Sequence, residues 1–235
     1  MGYSLGGGSL PIHQCRGFET LDINYKVTLI EGSINSVIQA LQATRQLINL
    51  QQDVYGLQVQ LATGGFIICQ LVGHPWTVLI DLPGFPAIDT YTSNVLDIEN
   101  PLIISLKDKR AIYAVNSDTS VSIGYKFYIN GSLTERFFYC LNDSEDDELD
   151  DLDDSEDERP EGVYEFWSER RLIMPEEILN PYDFADSFLQ EQEAFVPCLF
   201  PRSFVREGDL FLLSRNGLDR SDFIRMDYLI FHSFS

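Results

Sequence analysis

The chain has 235 residues, of which 44% are hydrophobic and 23% charged, and its formal net charge is −21. This length and composition predict a globular protein with enough apolar residues for one large domain or two small ones. A pI near 4.3 argues against nucleic-acid binding through a basic surface, and every apolar run is shorter than the ~20 residues of a membrane span.

The first twenty residues are glycine-rich and weakly patterned, which predicts a flexible arm over residues 1–20. The arm lacks a basic stretch followed by a continuous apolar one, and Gly6 stands where a myristoylation signal has Ser or Thr. We therefore expect a cytoplasmic protein. The glycines at positions 6–8 are not followed by the lysine of a phosphate-binding loop, so no nucleotide cofactor is predicted.

The first patterned region predicts a strand, an amphipathic helix and three further strands. After a strand near residues 23–30, Ser33 can cap a helix whose apolar residues recur at helical spacing from Ile34 to Ile48. Glycine and proline turns then separate three strand-like runs, at 55–61, 66–72 and 76–82. Such short turns favour antiparallel neighbours.

A helix followed by three strands is predicted again in the middle of the chain. Pro101 suits the first position of a second helix over residues 101–110, and the basic residues at its end complement the helix dipole. The strands that follow are predicted at 111–115, 121–129 and 133–140. Asn130 and Gly131, between two alternating runs, are typical of a two-residue type I′ hairpin.

The C-terminal part predicts the same order a third time. A strand at 163–168 precedes a third helix that begins near Pro181 and extends to Gln192. Strands are then predicted at 194–200, 209–213 and 222–231. The sequence thus favours an α+β fold, mainly antiparallel sheet with about three helices packed on one face. Its helix-then-three-strands units repeat in spacing but share no residue identities.

Twelve of the sixteen residues in the acidic run, 143–158, are Asp or Glu. Like charges at this density favour a solvated, disordered segment, so the predicted domain organisation is an α+β core over 21–140, a disordered acidic insertion over 141–162 and the rest of the same domain over 163–235. Residues 163–235 alone would form a marginal core. A separate small domain there is the alternative.

Two roles are open for the acidic run. It is either a solvated spacer or a surface that attracts a basic protein and repels nucleic acid. An EF-hand is excluded because Glu156 stands where the calcium loop needs glycine, and no metal site is predicted. As a partner surface, the run offers these candidate binding residues: Asp146, Asp147, Asp150, Asp151, Asp153 and Asp154.

The common catalytic signatures are absent from the sequence, including G-x-S-x-G, H-E-x-x-H and C-x-x-C. The four cysteines are widely separated and are predicted to be buried, reduced thiols. An alternative site is a carboxylate and aromatic cleft in the sheet. Its candidate residues are His74, Trp76, Asp81, Tyr113 and Asp118.

These observations favour a soluble, non-enzymatic interaction protein that binds or inhibits a basic protein partner. The expected protein has no cofactor and contacts neither nucleic acid nor membrane. The rival hypothesis is an enzyme or small-molecule binder that uses the alternative cleft. A structural subunit of a larger assembly is a third hypothesis.

Overall fold

A computed structural model describes residues 25–44, 46–62, 65–82, 107–117, 122–141, 162–194, 208–214 and 218–232. Within these ranges the chain forms eleven strands and two α-helices. The strands are β1 (Tyr25–Glu31), β2 (Leu47–Gln51), β3 (Gln58–Gln60), β4 (Gly65–Leu71), β5 (Trp76–Leu82), β6 (Arg110–Ser117), β7 (Ser122–Ile129), β8 (Ser132–Cys140), β9 (Val163–Ser168), β10 (Leu210–Leu212) and β11 (Phe223–Phe231). The helices are α1 (Ile34–Thr44) and α2 (Pro181–Glu191), and short 3₁₀ turns lie at Pro175–Glu177 and Arg220–Asp222.

Nine of these strands form one antiparallel sheet, in the order β2-β11-β4-β5-β1-β6-β7-β8-β9. β3 and β10 pair separately as a two-stranded sheet. The prediction of an α+β fold dominated by antiparallel sheet is confirmed at this level. β9 and β11 come from the C-terminal part of the chain, so residues after the acidic run add strands to the sheet that residues 25–140 build.

The two helices lie on opposite faces of the sheet, so the prediction that the helices share one face is wrong. α1 buries Val37 and Leu41 in a core that includes Ile68, whereas α2 buries Phe188 in a core that includes Ile67. Every residue of β4 is buried, because successive side chains enter the two cores alternately. A strand buried on both faces is apolar along most of its length, so its sequence pattern does not show which face a helix covers.

The first predicted helix is shorter than its apolar pattern. α1 ends at Thr44, and Leu47–Gln51 forms the edge strand β2, in which Leu47 pairs with Phe231 of β11. Hydrogen bonds to a strand distant in the sequence therefore override the helical spacing that includes Ile48. This strand also means that four strands follow α1, which does not match the predicted helix-then-three-strands repeat.

The second predicted helix is replaced at its basic end by a turn. Residues 101–106 lie outside the described residues, but Lys107 and Asp108 form a turn and Arg110 begins β6. Asp108 has a φ of +57°, which lies outside the right-handed helical region, so no α-helix continues through it to β6. The predicted strand at 194–200 and the N-terminal arm also lie outside the described residues, apart from Ala194, which has no regular structure.

The hairpin between β7 and β8 confirms the turn prediction. Asn130 and Gly131 both have positive φ values, +54° and +80°, and the flanking Ile129 and Ser132 are paired in register. A type I′ turn requires positive φ at both central residues, and Asn followed by Gly adopts this conformation at low cost.

Candidate binding surface

The acidic run connects two neighbouring strands of the sheet. β8 ends at Cys140, β9 begins at Val163, and these two residues are paired in register. Both ends of the connection therefore lie at the same end of β9, which is an edge strand. The run itself is outside the described residues. That includes the predicted partner-binding residues Asp146, Asp147, Asp150, Asp151, Asp153 and Asp154.

The protein's acidity is concentrated in one stretch of chain that begins with this run. Residues 143–194 contain 21 acidic and 3 basic residues, a net charge of −18, which leaves 16 acidic and 13 basic residues, a net charge of −3, in the rest of the chain. The described part of this stretch forms β9 and α2. The acidic surface therefore extends from the run onto the folded protein.

Large apolar side chains are exposed within the same stretch. Leu172, Met174, Leu179 and Tyr182 are 92%, 53%, 72% and 40% exposed. We call residues 172–183 the acidic–apolar segment, because the exposed carboxylates of Glu176, Glu177 and Asp183 alternate with these side chains. This segment was not predicted from the sequence. The signal that could have indicated it is the absence of any Lys, Arg or His between Arg171 and Arg202.

Two apolar side chains and local hydrogen bonds to the backbone hold the acidic–apolar segment in place. Ile178 is buried in the α2-side core, and Ile173 packs against that core. Glu177 Oε2 accepts a hydrogen bond of 2.7 Å from the backbone N–H of Met174. At the start of α2, Asn180 Oδ1 accepts from the N–H groups of Tyr182 and Asp183. The exposed side chains are therefore displayed by an ordered backbone.

An ion pair between the half-buried Arg171 and the buried Glu135 attaches the chain to the sheet just before this segment. Glu135 of β8 is fully buried and accepts hydrogen bonds from Arg171 Nη2 at 2.7 Å, Ser168 Oγ at 2.7 Å and Tyr125 Oη at 2.8 Å. Tyr125 also stacks on Phe188 of α2, with ring centroids 3.8 Å apart. Burial raises the pKa of Tyr125, and the negative charge of Glu135 adds to the effect. The tyrosine therefore serves as a neutral donor in the core.

The structure separates the aromatic residues of the alternative cleft. Trp76 is buried in the α2-side core, whereas Tyr113 packs against the α1-side core, on the opposite face of the sheet. His74 is buried in the turn between β4 and β5, two residues before Trp76. Asp81 lies in β5 opposite Phe66 of β4, and Asp118 is outside the described residues. A common cleft for Trp76 and Tyr113 is not formed.

Trp76 instead belongs to a polar cluster that the sequence analysis did not identify. Arg110 lies over its ring, 5.3 Å from the centroid, and makes a two-point ion pair with Glu31 at 2.7 and 2.8 Å. Gln192, just after α2, accepts from both Trp76 Nε1 and Arg110. The hydrogen bond from Arg110 holds the pKa of Glu31 below its ordinary value. These contacts tie the end of α2 to β1, β5 and β6.

A second buried carboxylate, Asp227 of β11, lies in a less complementary environment. Its Oδ1 accepts a hydrogen bond of 3.0 Å from the backbone N–H of Asp53. Its Oδ2 is 2.9 Å from Arg225 Nε, but the geometry of this ion pair makes no hydrogen bond. Burial raises the pKa of Asp227 despite these two contacts. Arg225 Nη2 also donates to Asn35 of α1, so the pair lies on the α1 face of the sheet.

Within the described ranges, no group of three or more His, Cys, Asp or Glu side chains is arranged to hold a metal ion. Neither α-helix in this part of the chain is long and apolar enough to cross a membrane. Comparisons with protein-family models, curated proteins and solved structures found no match.

Proposed function

We propose that the protein is a non-enzymatic interaction protein that binds a basic protein partner. The observation that carries this proposal is the concentration of charge, −18 of the total −21, in residues 143–194. A charge of one sign on one part of a surface attracts an oppositely charged partner and increases the rate of encounter. Acidity spread evenly over the molecule would not direct the partner to one part of the surface.

The fold supports this proposal by joining the acidic run to a folded acidic surface. The connection that contains the run leaves and re-enters the sheet beside β9, and the chain then continues through the acidic–apolar segment into α2. The rival hypothesis of a small-molecule cleft has less support, because Trp76 and Tyr113 lie on opposite faces of the sheet.

The proposal is tested by measuring the affinity of the full chain for a lysine-rich peptide over a range of salt concentrations. One variant replaces residues 143–158 with an equal length of Gly and Ser, and a second combines Glu176→Gln with Asp183→Asn. Both should bind more weakly and with a shallower salt dependence than the wild-type chain, because each removes charge that salt screens. Asp108→Asn, an exposed position outside the acidic stretch, is the matched control and should not change the affinity.

Two results would count against the proposal. The first is an affinity that does not depend on salt. The second is an equal loss of affinity in Asp108→Asn and in the double variant. If only the replacement of residues 143–158 leaves binding unchanged, the folded surface binds the partner and the run is a spacer.

A further inference from the structure

The acidic–apolar segment exposes several large apolar side chains close together, which acidity alone does not explain. Leu172, Met174 and Leu179 are each more than half exposed, and they lie within eight consecutive residues. Single exposed apolar residues are common on proteins, but several together mark an interaction surface. The backbone here is held in place, because Ile178 is buried in the α2-side core and Ile173 packs against it, while their neighbours Leu172, Met174 and Leu179 remain exposed.

The charged groups around these apolar side chains indicate what kind of partner surface could bind there. Glu176 and Glu177 are exposed between Met174 and Leu179, Asp183 is exposed just after them, and residues 172–194 contain no Lys, Arg or His. A covering surface must therefore be apolar where it meets the leucines and basic where it meets the carboxylates. A second copy of this chain would bring the same acidic groups together, and like charges at an interface oppose association.

We infer that the acidic–apolar segment binds an amphipathic basic segment of the partner, with Leu172, Met174 and Leu179 as apolar anchors and the three carboxylates as the charged rim. This inference rests on the proposed function and specifies its partner class. An amphipathic helix that presents apolar residues at i, i+3, i+4 and i+7, with Lys or Arg on the flanks, has this chemistry. Methionine and leucine are suited to such a surface because their side chains adapt to different apolar partners.

The test compares two peptides of about 18 residues with the same leucine and lysine composition. In one, leucine follows the helical spacing; in the other, the order is scrambled so that no apolar face forms. Binding of each labelled peptide to the full-length protein is measured by fluorescence anisotropy at a salt concentration that weakens purely ionic contacts. The wild-type protein should bind the amphipathic peptide about tenfold or more tightly than the scrambled one.

Two pairs of substitutions distinguish apolar anchoring from simple charge attraction. Leu172→Ser with Leu179→Ser should reduce affinity for the amphipathic peptide about tenfold or more and leave affinity for the scrambled peptide unchanged. Ile48→Ser with Leu210→Ser removes exposed apolar side chains elsewhere and should change neither affinity. Because all four side chains are mainly exposed, circular dichroism should show the same fold in both variants. Leu179→Ser alone, which should show a smaller loss, provides a second readout.

Equal affinity for the two peptides, or no loss in the Leu172→Ser, Leu179→Ser protein, would overturn this inference while leaving the proposed function intact. Absence of salt-sensitive binding of both peptides would overturn the proposed function as well. Self-association of the wild-type protein in sedimentation experiments, if abolished by the same leucine substitutions, would assign the surface to a second copy and also overturn the inference.

Discussion

At the scale of single residues, Glu135 and Asp227 show how two buried carboxylates differ when their partners differ. Glu135 accepts directed hydrogen bonds from Arg171, Ser168 and Tyr125, whereas the nearest cation to Asp227, Arg225, makes no hydrogen bond with it. A buried charge is tolerated when its lone pairs are satisfied, and its pKa shifts toward the neutral form when they are not. The two residues should therefore respond differently to substitution.

Glu135→Ala should lower the free energy of unfolding by about 3 kcal/mol or more, because it leaves Arg171 without its buried carboxylate partner. Glu135→Gln keeps the size of the side chain and part of the hydrogen bonding, so its loss should be smaller. Urea unfolding of both variants and the wild-type protein measures the difference. Equal stability of wild-type protein and Glu135→Ala would show that this network does not attach residues 168–171 to the sheet.

Titration of Asp227 should make the free energy of unfolding depend on pH. The Asp227→Asn variant should lack this contribution. The folded state holds the Asp227 proton to a higher pH than the unfolded chain does, since burial raises its pKa from the ordinary value of 3.8. The unfolded state therefore binds fewer protons in the window above 3.8, and the wild-type protein loses stability relative to Asp227→Asn as pH rises through the raised pKa. Urea unfolding at a series of pH values measures this difference, in which the titrations of groups remote from Asp227 cancel. A difference that stays constant or increases with pH would contradict this assignment.

At the scale of elements, local capping explains where α2 begins. Asn180 accepts hydrogen bonds from two N–H groups of the first turn, and Pro181 occupies the first helical position. Because α2 begins within the acidic–apolar segment, this cap also sets the direction in which the chain enters the helix. Its loss should destabilise the protein and loosen the candidate binding surface.

Asn180→Ala should lower the free energy of unfolding by about 1 kcal/mol, and Asn180→Asp should restore most of the loss, because Asp caps as well as Asn. Thermal unfolding with a chemical-denaturation check measures both. A loss in Asn180→Asp as large as in Asn180→Ala would mean that the cap hydrogen bonds do not account for the effect.

Local sequence patterns correctly predicted one turn and the starts of both helices, because hydrogen bonds and dihedral preferences of nearby residues determine these features. The Asn130–Gly131 turn and the starts of α1 and α2 follow from turn and helix chemistry that the sequence displays. β2 and the placement of the helices on opposite faces could not be predicted in this way. β2 owes its structure to pairing with β11, nearly 180 positions along the chain, and strands such as β4 are apolar on both faces. In such cases tertiary contacts decide between structures that the local sequence permits equally.

At the scale of the whole molecule, the topology converts a charge pattern in the sequence into an acidic edge. The sequence alone showed the acidic run, and the pairing of Cys140 in β8 with Val163 in β9 shows that the connection containing it joins the last two strands at one edge of the sheet. The exposed leucines could not be identified from sequence, because Leu172 and Leu179 are as apolar as their neighbours, the half-buried Ile173 and the buried Ile178. The alternation between them depends on how the segment packs against α2 and the sheet.

The acidic–apolar segment should be the surface that binds a basic amphipathic segment of the partner. Hydrogen exchange of the full-length protein, with and without the amphipathic leucine and lysine peptide, measures this at individual amides. Bound peptide should slow amide exchange in the acidic–apolar segment and the rest of the first turn of α2, and leave exchange in β2, β3 and β10 unchanged. Protection confined to β2, β3 and β10, or no protection at a saturating peptide concentration, would contradict this prediction.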